Sequence, residues 1–79
     1  MPRYFFDIRN GDGLIPDEEG TDLPDLQAAQ LEAARTLADM SRDHAINNAP
    51  HRLSVEVKDD QQKPLLEAVL TLEVRPLTQ

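Results

Sequence analysis

Arg3-Tyr4-Phe5-Phe6-Asp7-Ile8-Arg9, followed by Asn10-Gly11-Asp12-Gly13 and then by Leu14-Ile15-Pro16, decides the fold class. The first seven residues are rich in aromatic and β-branched side chains and alternate in character, which reads as a β-strand. Tyr4, Phe6 and Ile8 fall on one face; Arg3, Phe5, Asp7 and Arg9 fall on the other. Asn-Gly and Asp-Gly supply the positive-φ positions of tight hairpins, so the chain turns back. Leu14-Ile15 resumes as a short second strand, which Pro16 confines to a sheet edge.

Outward from this hairpin, Asp17 to Gly20 is a charged loop, and a helix follows. Asp22 suits the N-cap with Asp25 at the third helical position; alternatively Pro24 is the first helical residue and Leu23 the cap. Leu26, Ala29, Ala33, Leu37, Met40 and His44 recur at three- and four-residue spacing and form one apolar stripe. Leu31, Ala34, Ala38 and Ala45 form a second stripe of smaller residues. Glu32, Arg35, Asp39 and Arg42 lie opposite the main stripe as an alternating ion-pair ladder. Asn47, Asn48 and Pro50 stop the helix.

Arg52 to Lys58 reads as a third strand with Leu53, Val55 and Val57 on one face. Asp59 to Pro64 is a polar turn. Leu65 to Arg75 reads as a fourth strand, with Leu66, Ala68, Leu70, Leu72 and Val74 on one face, and Pro76 ends it. The order β-β-α-β-β predicts one α+β domain over residues 1–79: a four-stranded antiparallel or mixed sheet with the helix on one face. The expected core is Tyr4, Phe6, Ile8, Leu26, Ala33, Leu37, Met40, Leu53, Val55, Val57, Leu66, Leu70 and Leu72.

Several of these segments together resemble a known family. The Pro2-to-Asp7 opening, the Gly11-to-Gly13 turn, Asp17-Glu18-Glu19-Gly20 with Asp22 to Pro24 behind it, the Ala-rich helix and the Val55-to-Asp59 strand and turn are similar to short alphaproteobacterial proteins classed as a domain of unknown function. The resemblance spans nearly the whole chain. It implies a fold and a bacterial, cytoplasmic setting, and it implies no activity and no catalytic residue.

Composition narrows the function classes. The 79 residues carry no Cys, two His and a formal charge of −7. Thiolate metal sites and disulfides are excluded, and an acidic chain lacks the basic footprint that nucleic acid demands. No stretch approaches the roughly 20 apolar residues of a membrane span. The opening residues lack the apolar core of a secretory signal, which favours the cytoplasm. The charge is uneven. Seven acids and no base lie between Arg9 and Arg35, within the acidic segment 10–34, and the remainder is neutral.

The candidate chemistries are thin. An EF-hand register that places Gly13 at the sixth loop position puts Ile8 first, where it cannot ligate a cation. A weak divalent-cation site or an acidic mimic of nucleic acid are the remaining uses of the acidic segment. Pro2 suggests a small tautomerase whose amino-terminal secondary amine is the general base, with Arg3, Arg9 and Arg52 holding an acidic substrate. A retained Met1 blocks that amine, and the early hairpin departs from the tautomerase order of elements. His44 reads as a helix-end core residue; with His51 it lacks a third metal ligand. Ser41 and Ser54 belong to no nucleophilic triad.

The sheet face opposite the helix is richer. It carries Arg3, Phe5, Asp7 and Arg9, then Arg52, Ser54, Glu56 and Lys58, then Leu65, Glu67, Val69, Thr71, Glu73 and Arg75. Apolar residues ringed by mixed charge suit an interface, centred on Arg3, Phe5, Arg9, Leu65 and Val69. The sequence therefore predicts a non-enzymatic interaction or self-associating module, with itself or another protein as partner and without cofactor, metal, nucleic acid or membrane.

Overall fold

The computed structural model describes residues 1–11, 13–44 and 51–78. Its strands are β1 (Arg3–Asn10), β2 (Gly13–Ile15), β3 (Thr21–Asp22), β4 (His51–Lys58) and β5 (Pro64–Leu72), with one helix, α1 (Leu26–His44). The sheet runs β2-β1-β4-β5, all pairs antiparallel, and β3 joins the same side of β1 as an addition to the four strands expected. The α+β architecture read from the sequence is the one observed.

Periodicity explains the layers. Phe6 pairs with Val57 and Ile8 with Val55, while Leu53, Val55 and Val57 pair with Leu70, Ala68 and Leu66. All of these lie on one face, which α1 covers by lying across β4 and β5. Tyr4, Phe6, Ala29, Ala33, Leu37, Leu53, Val55 and Val57 make the buried cluster, with Ile8, Leu23, Met40, Leu65, Leu66 and Ala68 packed against it. The alanines at 29 and 33 are fully buried, so the helix backbone sits close to the sheet.

Several boundaries differ from the sequence reading, each for a local reason. The helix cap is Asp25: its Oδ1 accepts the Ala28 N–H at 2.9 Å, and its carbonyl accepts the Ala29 N–H. Asp22 is drawn away into β3, opposite Arg3. Leu26 is consequently exposed, and Leu23 upstream packs on the core. Leu70 points to the helix side yet is 36% exposed, because β5 is the outermost of the described strands. Leu72 is half-buried, and β5 ends there, three residues short of Arg75. The charge ladder on α1 resolves into two exposed pairs, Glu32–Arg35 and Asp39–Arg42. Asp12, the helix stop at Asn47, Asn48 and Pro50, Ala45, and the side chains of His44 and His51 lie outside the described residues.

Candidate functional site

The two borders of the sheet are built differently, and everything chemically distinctive lies on one or the other. On the β1 border the chain follows β2 with a loop that returns to β3. Ile8 pairs with Ile15 and Tyr4 with Thr21, so the middle of β1 has no strand beside it on that side. Asp17 fills the gap. Its Oδ2 accepts the Phe6 N–H at 3.1 Å, a backbone donor that would otherwise point out of the sheet. Its Oδ1 accepts the N–H groups of Glu19 and Gly20 at 3.1 and 3.0 Å, which is the turn an aspartate imposes on the residues after it.

Asp7 completes the closure. Its Oδ1 accepts the Asp17 N–H at 3.0 Å, and its Oδ2 sits 2.7 Å from Lys58 Nζ. Alternation places Asp7 on the face away from the helix, where the sequence suggests an exposed side chain. It is 6% exposed instead, because the loop closes over it and Lys58 reaches across from β4.

The energetics of the two carboxyls follow from these contacts. Burial alone would raise both acids, since it disfavours the charged form. For Asp7 the Asp17 N–H and the Lys58 ammonium outweigh burial and hold the carboxyl below its ordinary value. For Asp17 the three backbone N–H groups outweigh both burial and the repulsion of Asp7. The hydrogen bond to Asp7 raises Lys58 in turn. Both acids are thus anionic and engaged, which suits structure. An acid–base catalyst needs a value near the working pH.

Gly20 and Arg3 hold the loop from outside. Gly20 has φ +76°, and a Cβ there would lie 2.8 Å from Arg3 Cγ and 2.9 Å from Phe5 Cε2. Arg3 donates from Nε to Asp22 at 3.0 Å and from a guanidinium nitrogen to the Glu19 carbonyl at 2.9 Å. Three acids of this segment are therefore occupied: Asp17 by backbone, Asp22 by Arg3 and Asp25 by the helix. Among the described residues no cluster of three or more acids or histidines is placed to hold a metal ion.

The five interface candidates separate across the sheet. Arg3 is engaged at the β1 border, and Phe5 is half-buried beside Gly20. Arg9 and Val69 share one cross-strand row, Arg9–Ser54–Val69, both exposed on either side of a buried Ser54. The next row is Asp7–Glu56–Glu67. Leu65 has no partner in the ladder: a register shift at Val57/Lys58 makes it the extra residue, half-buried and packed against the core. Pro2 is exposed, and its carbonyl accepts the Leu23 N–H.

The β5 border is open. No described strand pairs with its outer side along nine residues. Beside it runs a groove lined by Ala34, Leu37, Ala38 and Ser41 of α1 and by Ala68, Val69 and Leu70 of β5. Leu31 on α1 is 60% exposed, so apolar surface continues up the helix flank, and Val69 on the other face of β5 is 45% exposed.

Sequence reasoning did not single out Asp7, Asp17 and Lys58. A signal was there. An aspartate three residues before a glycine is the spacing of an aspartate-capped turn, and a lone acid inside an aromatic strand calls for a partner on the same alternating face.

Among the described residues no helix is long and apolar enough to cross a membrane. No curated protein and no solved structure matches this chain. A family model does match, over residues 3–71, from the start of β1 to all but the last residue of β5. The chain belongs to the family described as a domain of unknown function, DUF6894.

Proposed function

We propose that this protein is a cytoplasmic interaction module without a catalytic centre, and that it binds through the β5 border and the groove beside it. One observation carries the reading: a nine-residue edge strand, apolar on the helix side and unpaired on its outer side, adjoins an apolar groove. Exposed edges of this length invite strand addition, and folds that do not use them blunt them with charge, proline or a covering loop. The same molecule blunts its other border with Asp17 and a covering loop. On β5 the only charged residue is Glu67, and the only proline is at the first position. Leu65 and Val69 belong to this border; Arg3, Phe5 and Arg9 lie on β1, with β4 between them and it.

Chemical cross-linking in extract of the native host, read by mass spectrometry, tests the reading. The wild-type chain is expected to form adducts, with itself or with other proteins, that Leu70→Lys and Val69→Asp lose while keeping the wild-type circular dichroism spectrum. Adducts identical in all three proteins would remove the β5 border from any binding role.

A further inference from the structure

We propose that the occupant of the β5 border is the β5 strand of a second copy, antiparallel to the first about a twofold axis at Ala68. The proposal deepens the interaction reading and rests on it. A twofold axis perpendicular to the sheet keeps both helices on one face and, over the regular run from Leu66 to Leu70, pairs each residue with one of the same facing; the extra residue Leu65 lies outside that run. Ala68 is the midpoint of Pro64–Leu72, so centring there overlaps the whole strand.

Charge selects the same centre. About Ala68, Leu66 lies opposite the copy's Leu70, Glu67 opposite its Val69, and Lys63, just before the strand, alongside its Glu73. Each contact occurs twice, and no like charges lie directly opposite each other. Centring one residue earlier sets Glu67 against its own copy. One residue later sets Lys63 against the copy's Arg75, and two later sets Glu67 against Glu73. Like charges directly opposite are destabilising in a sheet.

Packing agrees. Ala34 and Ala38 border the groove above Ala68 and Leu70, and these small residues leave room for the copy's Leu66 and Leu70 beneath the helix flank. The exposed Leu31 continues that flank toward the copy's helix. The acids Asp17, Glu18, Glu19 and Asp22 stand at the β1 border, so the charge of −7 is carried largely away from the join.

Light scattering after size exclusion, over a dilution series, tests this. The wild type is expected at twice its 8.9 kDa chain mass, dissociating on dilution. Leu70→Lys is expected at the monomer mass. Lys63→Glu, on an exposed turn where folding is not at stake, is expected to weaken the dimer about tenfold, and adding Glu73→Lys to restore it. A wild-type monomer at every concentration overturns the second copy; if cross-links to other proteins are still lost with Leu70→Lys, the interaction reading survives without it. A dimer indifferent to Leu70→Lys also overturns the proposal, and a charge swap that fails to restore association overturns the register.

Discussion

The β1 border and the β5 border of this sheet solve the same physical problem in opposite ways. A sheet edge presents unpaired N–H and C=O groups, and a protein must either cover them or use them. On the β1 side two strand fragments of three and two residues, β2 and β3, are placed end to end, and Asp17 bridges the space between them with its carboxylate. On the β5 side nine residues stand with no described strand beside them. The first border concentrates polar contacts and acids, with Leu14 and Ile15 exposed on its short strand β2; the second sets its apolar surface along a long unpaired strand. A small domain with one helix has little core to spare, so a border left apolar and open is the feature that most needs a use.

The largest expected effect comes from opening the closed border. Asp17→Ala removes the acceptor of the Phe6, Glu19 and Gly20 N–H groups together. Losing charge-assisted bonds to partly buried donors is expected to cost about 2–4 kcal/mol in urea unfolding. In a domain this size that is a fall of roughly 10–20 °C in Tm. A cost under about 1 kcal/mol would mean that the loop holds without its aspartate, and the contrast between the borders would lose its structural side.

The next effect sharpens the same border through pH. Asp7 and Asp17 are held below their ordinary values when folded, so the unfolded chain binds protons first as pH falls. Their contribution is complete above the ordinary carboxylate range and is lost as pH drops through the folded values. Stability is expected to be level in this respect from pH 7 to about 5 and to decline below about pH 4, each tenfold of lowered proton affinity being worth about 1.4 kcal/mol. Asp7→Asn, which also leaves Lys58 without its closest partner, is expected to lower stability at pH 7 and to make the acid decline shallower. An unchanged slope in that variant would show that Asp7 is not held in its charged form.

What the sequence discloses divides along the same line. Elements carried by many residues of one period are legible: the alternation of β1 and β4, the Asn-Gly and Asp-Gly turn, and the three-four stripe of α1. The closed border is not, because it depends on single side chains bonding to a distant backbone. Asp17 reads as one of three acids in a four-residue loop, and its role needs the Phe6 N–H, which only the folded chain brings near. Asp22 and Asp25 are equally good caps by type, and the pairing of Arg3 with Asp22 decides between them. Leu70 shows the converse limit. Its alternation assigns it correctly to the helix face, but alternation does not say that β5 is outermost, so an expected core residue is a border residue.

The smallest expected effect is the counterpart of Asp17→Ala on the open border. Val69 is on the face away from the helix, opposite the buried Ser54, and 45% exposed. Val69→Glu puts a charge where solvent already reaches, on a strand with no described strand beyond it, so the carboxylate stays in water. Measured in urea at concentrations low enough for monomer, the change is expected to stay within about 0.5 kcal/mol. The same substitution is expected to weaken association at high concentration, because position 69 lies opposite the copy's Glu67 in the register about Ala68, and like charges directly opposite are destabilising. A substitution nearly silent in the monomer and costly to assembly would place the two borders in different roles, one for folding and one for binding. A cost above about 1.5 kcal/mol in the monomer would instead make Val69 part of the core and leave β5 no freer than β1.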